Sequence, residues 1–149
     1  MPALADASQI EIATSCGTLI FNDSGQVLLC HVTGTNHWDL PKGMREPGES
    51  TLEAAKRELR EETGLDLAND LFEEIGGFHY QKSKKLHLYK VRAPARLLCL
   101  GHLVCTSYFS HRVTGKPTPE MDGFRWASRE DIRSLCIFPM AQQLLSLKW

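Results

Sequence analysis

The feature that most constrains the fold is a helix whose two ends are both marked in the sequence. Ser50, followed three residues later by Glu53, has the pattern of a capping box at a helix N-terminus. Gly64 stands where helices commonly end in a left-handed residue. The sequence therefore predicts a helix over residues 51–63, and the rest of the chain must fold around it.

Strand signals surround this helix on both sides. Residues 15–21 and 26–31, joined by turn residues, predict a hairpin, whereas glycines and prolines predict an irregular segment over 33–49. Further strands are predicted at 71–80, 85–91, 102–112 and 124–126, and two short helices are predicted to begin at Ser128 and Pro139. Strands before, between and after helices predict a mixed α/β domain in which helices cover a sheet.

Length and charge place the chain among ordinary compact domains. Its 149 residues, 42% of them hydrophobic, suit one domain over 1–149. Its 17 basic and 18 acidic side chains leave a net charge of −1. A chain that binds nucleic acid or a membrane surface through its charge needs a basic excess. We therefore expect neither a long nucleic acid nor a membrane as a partner. We also expect the protein to be a monomer or a homodimer.

Targeting and cysteine signals favour a cytoplasmic protein. No run of about 18 apolar residues is present to span a bilayer, and the first six residues lack the basic and apolar regions of a secretory signal. The odd number of cysteines and the lack of a CxxC pair argue against a disulfide framework. We expect all five to be reduced and most to be buried: Cys16, Cys30, Cys99, Cys105 and Cys136.

Carboxylates collect on one side of the predicted helix. At about 100° per residue, Glu58, Glu61 and Glu62 share an arc of about 100°. The core-facing stripe beside this acidic arc is formed by Leu52, Ala55 and Leu59. Like charges at this spacing destabilise a helix and raise one another's pKa, so we expect the arc to bind a cation. Hard oxygen ligands suit Mg²⁺ or Mn²⁺, which commonly bridge to substrate phosphates. The alternative is a merely solvated acidic face.

The complete spacing around this arc resembles a known family signature. Gly43, then Glu49, and then the run Arg57-Glu58-Leu59-x-Glu61-Glu62-x-Gly64-Leu65 match the signature of the Nudix hydrolases at every specified position. The resemblance implies an α/β/α sandwich with a mixed β-sheet as a single domain. It also implies divalent-metal-dependent hydrolysis of a nucleoside diphosphate linked to another moiety.

The resemblance further implies roles for the matched residues. Glu58, Glu61 and Glu62 correspond to the metal-binding carboxylates, with the carbonyl of Gly43 as a further ligand. Arg57 corresponds to the residue that orients these carboxylates. All of them except Gly43 are expected to belong to the catalytic machinery.

A general base is also needed, and the family often supplies it from a loop six residues before a tryptophan. Glu120 stands six residues before Trp126, so the resemblance implies that Glu120 is the base or an additional metal ligand. The alternatives are a solvated loop glutamate at this position, or Asp122 as the nearest substitute.

Residues 38–43, WDLPKG, resemble the segment before the motif in the diadenosine polyphosphate hydrolase branch. Lys42 would then lie beside the phosphates as a mobile point charge. Tyr80, fifteen residues beyond Leu65, matches a tyrosine typical of that branch. Trp38 is a candidate for stacking a nucleobase, and Lys82 is a candidate for reaching distal phosphates. The alternatives are core aromatic residues and exposed lysines.

The expected function is that of a Mg²⁺- or Mn²⁺-dependent pyrophosphohydrolase acting on a small phosphorylated nucleotide, with dinucleoside polyphosphates favoured. Two enzymatic alternatives stay open: a housecleaning pyrophosphatase of (d)NTPs, and a hydrolase of ADP-ribose or nucleotide sugars. A third alternative is a nucleotide-binding regulatory domain without catalysis, because a fold does not fix a function. Product analysis separates the enzymes, since a dinucleotide yields two nucleotides and a triphosphate yields a monophosphate and pyrophosphate.

Overall fold

The computed structural model describes residues 13–149, so the N-terminal segment on which the expected lack of a secretory signal rests lies outside the described residues. In chain order, the strands are β1 Ala13–Phe21, β2 Val27–Val32, β3 Trp38–Asp39, β4 Lys42–Met44, β5 Glu73–Gln81, β6 Lys84–Arg92, β7 Tyr108–Ser110, β8 Pro117–Pro119 and β9 Met121–Ala127. The α-helices are α1 Thr51–Thr63, α2 Ile132–Leu135 and α3 Phe138–Leu145. In this described part of the chain, every helix is too short or too polar to cross a membrane.

Seven of the strands form one mixed sheet in the order β3-β2-β1-β6-β5, with β4 paired to β1 and β9 paired to β2. β1 and β6 run parallel, and the other pairs are antiparallel. β1 and β2 diverge away from their connecting turn: β4 pairs with residues 15–17 of β1, and β3 pairs with residues 30–31 of β2. Residues 38–44, which precede α1, are therefore inserted between β1 and β2, and we call them the wedged segment.

Helices cover both faces of this sheet. On one face, Leu59 of α1 packs in a cluster with Ile20 of β1. On the other face, Met140 and Leu144 of α3 pack in a cluster with Leu19 of β1. Because neighbouring residues of a strand point to opposite faces, β1 contributes to both clusters. The predicted α/β/α sandwich with a mixed sheet is confirmed.

The segment 33–49, predicted to be irregular, contains the two short strands β3 and β4. The pairing of β4 with β1 depends on a close approach, because a Cβ on Gly17 of β1 would lie 2.7 Å from the Cβ of Lys42. The predicted helix 51–63 coincides with α1. The second predicted helix is a 3₁₀ turn at Arg129–Asp131 followed by α2, and the third begins at Phe138, one residue before Pro139.

The predicted strand over 102–112 is wrong. Only β7 is extended there, and it pairs with β8 outside the main sheet. The residues before β7 instead bond to the end of α1: Val104 N donates to Thr63 O at 3.0 Å, and Thr106 N donates to Glu61 O at 2.6 Å. Carbonyls in the last turn of a helix have no partner within the helix. This segment therefore donates its N–H groups to the free carbonyls of α1 rather than to the edge of a strand.

The cysteines agree with the prediction from the sequence. All five are free, and only Cys99 is exposed. Burial raises the pKa of Cys16 to about 11 and that of Cys136 to about 12. Since the thiolate is the reactive form, these two thiols are unreactive at neutral pH.

Candidate functional site

Helix α1 is fixed at both of its ends. Ser50 Oγ accepts a hydrogen bond from Glu53 N at 3.0 Å, and the Glu53 carboxylate accepts one from Ser50 N at 2.8 Å. Gly64 has a φ of 80° and donates its N–H to Arg60 O at 2.8 Å. Of the predicted core stripe, Ala55 and Leu59 are fully buried and Leu52 is half-buried. Capping and burial together set the direction in which the acidic arc faces.

Arg57 joins this helix to the loop in front of it. Its Nε and Nη2 donate to the two carboxylate oxygens of Glu49 at 2.7 and 3.0 Å, and Nη2 also donates to Met44 O at 2.9 Å. Its Nη1 donates to Glu58 at 2.9 Å and to Glu61 at 3.2 Å. Because the guanidinium is planar and rigid, these bonds fix three carboxylates relative to one another.

The Arg57 hydrogen bonds hold the pKa of Glu49 at about 2, below the ordinary value of 4.5. A carboxyl whose folded pKa is depressed stabilises the fold above its unfolded pKa and loses that effect as the pH falls through the folded pKa. We therefore expect Glu49→Gln to lower the free energy of unfolding by a constant amount above about pH 5. The difference from wild type should shrink between pH 4.5 and pH 2. Urea unfolding at pH 7 and pH 3 measures both values.

The exposed Glu130 provides the control for this experiment, since Glu130→Gln should change the free energy of unfolding little at either pH. An equal loss from Glu49→Gln at pH 7 and pH 3 would show that the Glu49–Arg57 charge interaction does not stabilise the fold.

The three carboxylates of the acidic arc have unequal surroundings. Glu62 is only 2% exposed, whereas the side chains of Glu58 and Glu61 are 13% and 40% exposed. Burial, with the neighbouring charge of Glu58, raises the pKa of Glu62 to about 9. Burial also raises the pKa of Glu58, although Arg57 opposes the shift. Ionising these crowded carboxylates is costly unless a cation is close, which gives the arc a physical reason to bind one.

The wedged segment packs directly against this arc. β4 places Gly43 so close to Glu58 that a Cβ at position 43 would overlap the Glu58 carboxylate. One residue earlier, Lys42 N donates to the Glu62 carboxylate at 3.1 Å. The structure therefore brings the Gly43 backbone against Glu58 and the Lys42 backbone against Glu62.

The donor set fits a hard divalent cation. It consists of carboxylate oxygens beside a stretch of backbone at Gly43, and oxygen donors are the ligands that Mg²⁺ and Mn²⁺ prefer. Among residues 13–149, no three acidic, histidine or cysteine side chains already converge on one cation position. Arg57 holds Glu58 and Glu61, while Lys42 N holds Glu62. Mg²⁺ usually takes one or two carboxylates and keeps its other positions for water and phosphate, so a closed cage is not required.

Glu120 lies beside the arc, between β8 and β9. Its N–H donates to Ser107 O at 2.9 Å, and its carbonyl accepts from Thr33 N at 3.1 Å, so the backbone is held on both sides. The Glu120 side chain is exposed, and its charge contributes to the raised pKa of Glu58. The tertiary structure thus brings Glu120, which is distant in sequence, near enough to α1 for its charge to act on Glu58.

Lys42 is less mobile than the sequence suggests. Its Nζ lies 3.0 Å from Asp39 Oδ2 and 5.6 Å from the ring centre of Tyr80. Burial acts to lower the pKa of Lys42, but Asp39 and Tyr80 outweigh it, so the pKa lies above its ordinary value. Burial raises the pKa of Tyr80 to about 12, and its buried hydroxyl has no hydrogen-bond partner among the described residues. Lys42 and Tyr80 are therefore brought together, with Asp39 as a third member that the sequence did not single out.

Trp38 of β3 contacts side chains of β2 and β9. The ring of His31 meets it edge-on at 5.1 Å, and the Arg125 guanidinium lies 5.6 Å from its centre. His31 also pairs with Asp122, the residue considered as a substitute for Glu120. Sequence reasoning missed the His31–Asp122 pair because 91 positions separate the two residues.

Lys82 is exposed in the turn between β5 and β6. Ala13 at the start of β1 pairs with Lys84, and Ser15 pairs with Met44. The turn therefore lies at the same end of the sheet as β4, but the structure gives Lys82 no contact with Lys42 or Tyr80 within the described residues.

Comparison with known proteins gives a consistent result. The profile of a family described as NUDIX domain matches residues 12–145. An uncharacterized 17.7 kDa protein of Enterobacteria phage T4, from the e-segB intergenic region, is 35% identical over 119 residues, covering 74% of this chain and 78% of its own. RNA pyrophosphohydrolase of Marinomonas sp. is 33% identical over 121 residues, with coverage of 75% and 73%. The solved structure of a C. elegans Ap4A hydrolase binary complex is similar in fold, with a TM-score of 0.59, 22% identity and coverage of 89% and 93%.

Proposed function

Since the chain belongs to the Nudix hydrolase family and is a hydrolase of phosphorus-containing anhydrides, we propose that its substrates are dinucleoside polyphosphates, cleaved with Mg²⁺ or Mn²⁺. The observation that carries this proposal is the burial of Glu62 against the backbone N–H of Lys42, next to Glu58, which lies against the Gly43 backbone. The site consists of buried carboxylates that face a glycine backbone. Such a site suits a phosphate chain bound through a cation better than it suits an apolar ligand.

We propose that Glu58, Glu61 and Glu62 hold the metal together with the carbonyl of Gly43. When bound, the metal supplies charge neutralisation of the phosphate bridge and lowers the pKa of an attacking water. Arg57 keeps the carboxylates in position through its hydrogen bonds to Glu58 and Glu61. This arrangement lets an anionic anhydride approach a helix that would otherwise repel it.

We propose that the substrate is bound by side chains of β3, β4 and β5 and of the turn that follows β5. Lys42, held by Asp39 and lying over Tyr80, presents positive charge toward a phosphate. Trp38 is half-buried and has an aromatic face on which a base can stack. Lys82, on the exposed turn, is proposed to contact phosphates farther along the bridge.

Glu120 is proposed as the general base that accepts a proton from the attacking water. We expect Glu120→Gln to lower kcat by about 10²–10⁴-fold while KM changes little, because the amide cannot accept the proton but keeps the shape of the side chain. Asp122→Asn tests the nearest substitute for the base and should keep the kcat of wild type, since Asp122 pairs with His31. A Glu120→Gln variant that raises KM and keeps kcat would assign Glu120 to binding instead.

A second substrate class is favoured by one observation. The relative from Marinomonas sp. is named RNA pyrophosphohydrolase and is 33% identical to this chain. The 5′ end of an RNA carries the same anhydride chemistry on a single nucleoside. We therefore propose the triphosphorylated 5′ end of RNA as the second candidate substrate.

A substrate panel read by its products tests the proposal. Diadenosine tetraphosphate, a short RNA with a 5′-triphosphate, 8-oxo-dGTP and ADP-ribose are incubated with the protein and Mg²⁺ or Mn²⁺ at mildly alkaline pH. We expect diadenosine tetraphosphate to give ATP and AMP with the highest kcat/KM. The absence of a new phosphate-containing product from all four compounds would overturn the proposal, and preferred cleavage of RNA would replace it by the second candidate.

We propose that residues 1–149 form one domain, that the protein acts as a monomer or a homodimer, and that it works in the cytoplasm. The family match over 12–145 and the free cysteines support the first and the third. Light scattering at micromolar concentration measures the oligomeric state.

A further inference from the structure

A two-stranded arm, residues 107–119, stands outside the main sheet next to the acidic arc. Its strands β7 and β8 pair only with each other within the described residues. At its base, Thr106 N and Oγ1 donate to Glu61 O at 2.6 and 3.2 Å, and Ser107 O accepts from Glu120 N at 2.9 Å. The arm therefore begins between Glu61 and Glu120, beside the proposed reaction site.

The surface of the arm is aromatic. Tyr108 is 57% exposed and Phe109 is 41% exposed. Aromatic rings that contribute to a hydrophobic core are largely buried, so these two do not contribute to it. Together with Gly115 they line a shallow cavity of about 250 Å³. Aromatic residues left exposed on an isolated ribbon are unusual for a stable fold and indicate a binding role.

The charge of the arm is one-sided. Residues 107–119 contain one arginine, one lysine and no aspartate or glutamate, a bias that the net charge of −1 conceals. Arg112 and Lys116, at the tip of the arm, have no carboxylate partner in residues 13–149, and both are exposed. A polyanion is therefore the ligand that this surface complements.

We propose that the arm binds a second nucleotide unit, the one joined to the reacting polyphosphate beyond the scissile anhydride. One exposed ring stacks on the base, and Arg112 and Lys116 attract the phosphate groups. The second unit is the second nucleoside of a dinucleoside polyphosphate, and a response to the RNA substrate alone would overturn this assignment. The inference rests on the proposed function, because it places the reacting anhydride at the acidic arc.

Steady-state kinetics with three substrates tests the inference. Diadenosine tetraphosphate and a 5′-triphosphorylated RNA trinucleotide contain a second nucleotide unit, whereas ATP does not. In the Tyr108→Leu/Phe109→Leu variant, an apolar side chain replaces each ring. We expect its KM to rise about tenfold for a substrate with a second unit, with kcat within about twofold of wild type and KM for ATP unchanged. A response to diadenosine tetraphosphate identifies the unit as a second nucleoside.

Further variants refine this result. One of the single variants, Tyr108→Leu or Phe109→Leu, should account for most of the effect. Arg112→Gln/Lys116→Gln should raise the same KM and weaken its dependence on salt. Val113→Ala is the matched control, since Val113 is 85% exposed at the tip and carries neither ring nor charge.

Several outcomes would overturn the inference. An unchanged KM in the double leucine variant, or an equal change for ATP and for the larger substrates, would show that the rings do not bind a second unit. Loss of a dimer in that variant, measured by light scattering, would assign the arm to contacts between copies. If the wild-type protein cleaves none of the three substrates, the proposed function fails. Calorimetry with methylene-bridged analogues of diadenosine tetraphosphate and ATP then tests the arm separately.

Discussion

Glu62→Gln is expected to reduce kcat by about 10²–10⁴-fold and to leave the fold intact, because the amide removes a charge proposed to hold the cation. The side chain is buried and accepts a hydrogen bond from Lys42 N, which a glutamine oxygen can also accept. The position should therefore keep its packing while losing its function. Product release at saturating Mg²⁺ and substrate measures the effect.

The same substitution should stabilise the protein in the presence of a chelator. The pKa of Glu62 is raised from 4.5 to about 9, so its burial weakens the fold progressively as the pH rises between those values. Glutamine does not titrate and escapes this loss. We expect the Tm of Glu62→Gln to match wild type near pH 5 and to exceed it by about 2–6 °C at pH 8.5. Added Mg²⁺ should raise the Tm of wild type more than that of the variant.

Two other substitutions serve as comparisons. Glu61→Gln should lose activity without this gain in stability, because the Glu61 side chain is 40% exposed. Glu130→Gln, in an exposed turn, should change neither property. If both Glu61→Gln and Glu62→Gln kept wild-type kinetics, the acidic arc would have no part in the reaction and the proposed function would fall with it.

Gly43→Ala is expected to lower kcat by about 100-fold or more. The added Cβ would overlap the Glu58 carboxylate, so either the wedged segment or the glutamate must move. A displacement of about 1 Å in catalytic geometry is enough for a loss of this size. The same clash should lower the Tm, and Gly43→Ala/Glu58→Ala should recover the Tm without recovering activity.

Gly101→Ala is the matched control for this experiment, because a Cβ at position 101 would meet no atom within 4 Å. It should keep the kcat of wild type and lose no stability. Wild-type kcat in Gly43→Ala would show that the contact between Gly43 and Glu58 has no part in the reaction. Calorimetry and steady-state kinetics on the same samples provide both readings.

The local parts of the site could be predicted from sequence because a helix has a fixed geometry. The capping residues Ser50 and Gly64 set where α1 begins and ends, and 3.6 residues per turn then place Glu58, Glu61 and Glu62 on one side. The bond from Arg57 to Glu61 spans one helical turn and follows from the same rule. None of these statements needs the rest of the chain.

The contacts between distant segments could not be predicted in this way. Hydrophobic pattern marked residues 102–112 as a strand, yet their amides bond to carbonyls at the end of α1. The prolines and glycines of 33–49 concealed β3 and β4, which exist through pairing with β2 and β1. Periodicity reports which residues prefer burial, but it does not say which partner supplies the hydrogen bonds.

The sequence alone determined the extent and charge of α1, the α/β class and the family resemblance, because these depend on short-range spacing within one chain segment. Only the tertiary structure decided that Glu62 is buried, that Lys42 is held by Asp39, and that the charge of Glu120 acts on Glu58. It also decided that the arm projects next to the arc. Burial and the raised pKa that follows from it are properties of the assembled layers, since desolvation of a carboxylate depends on all the segments packed around it.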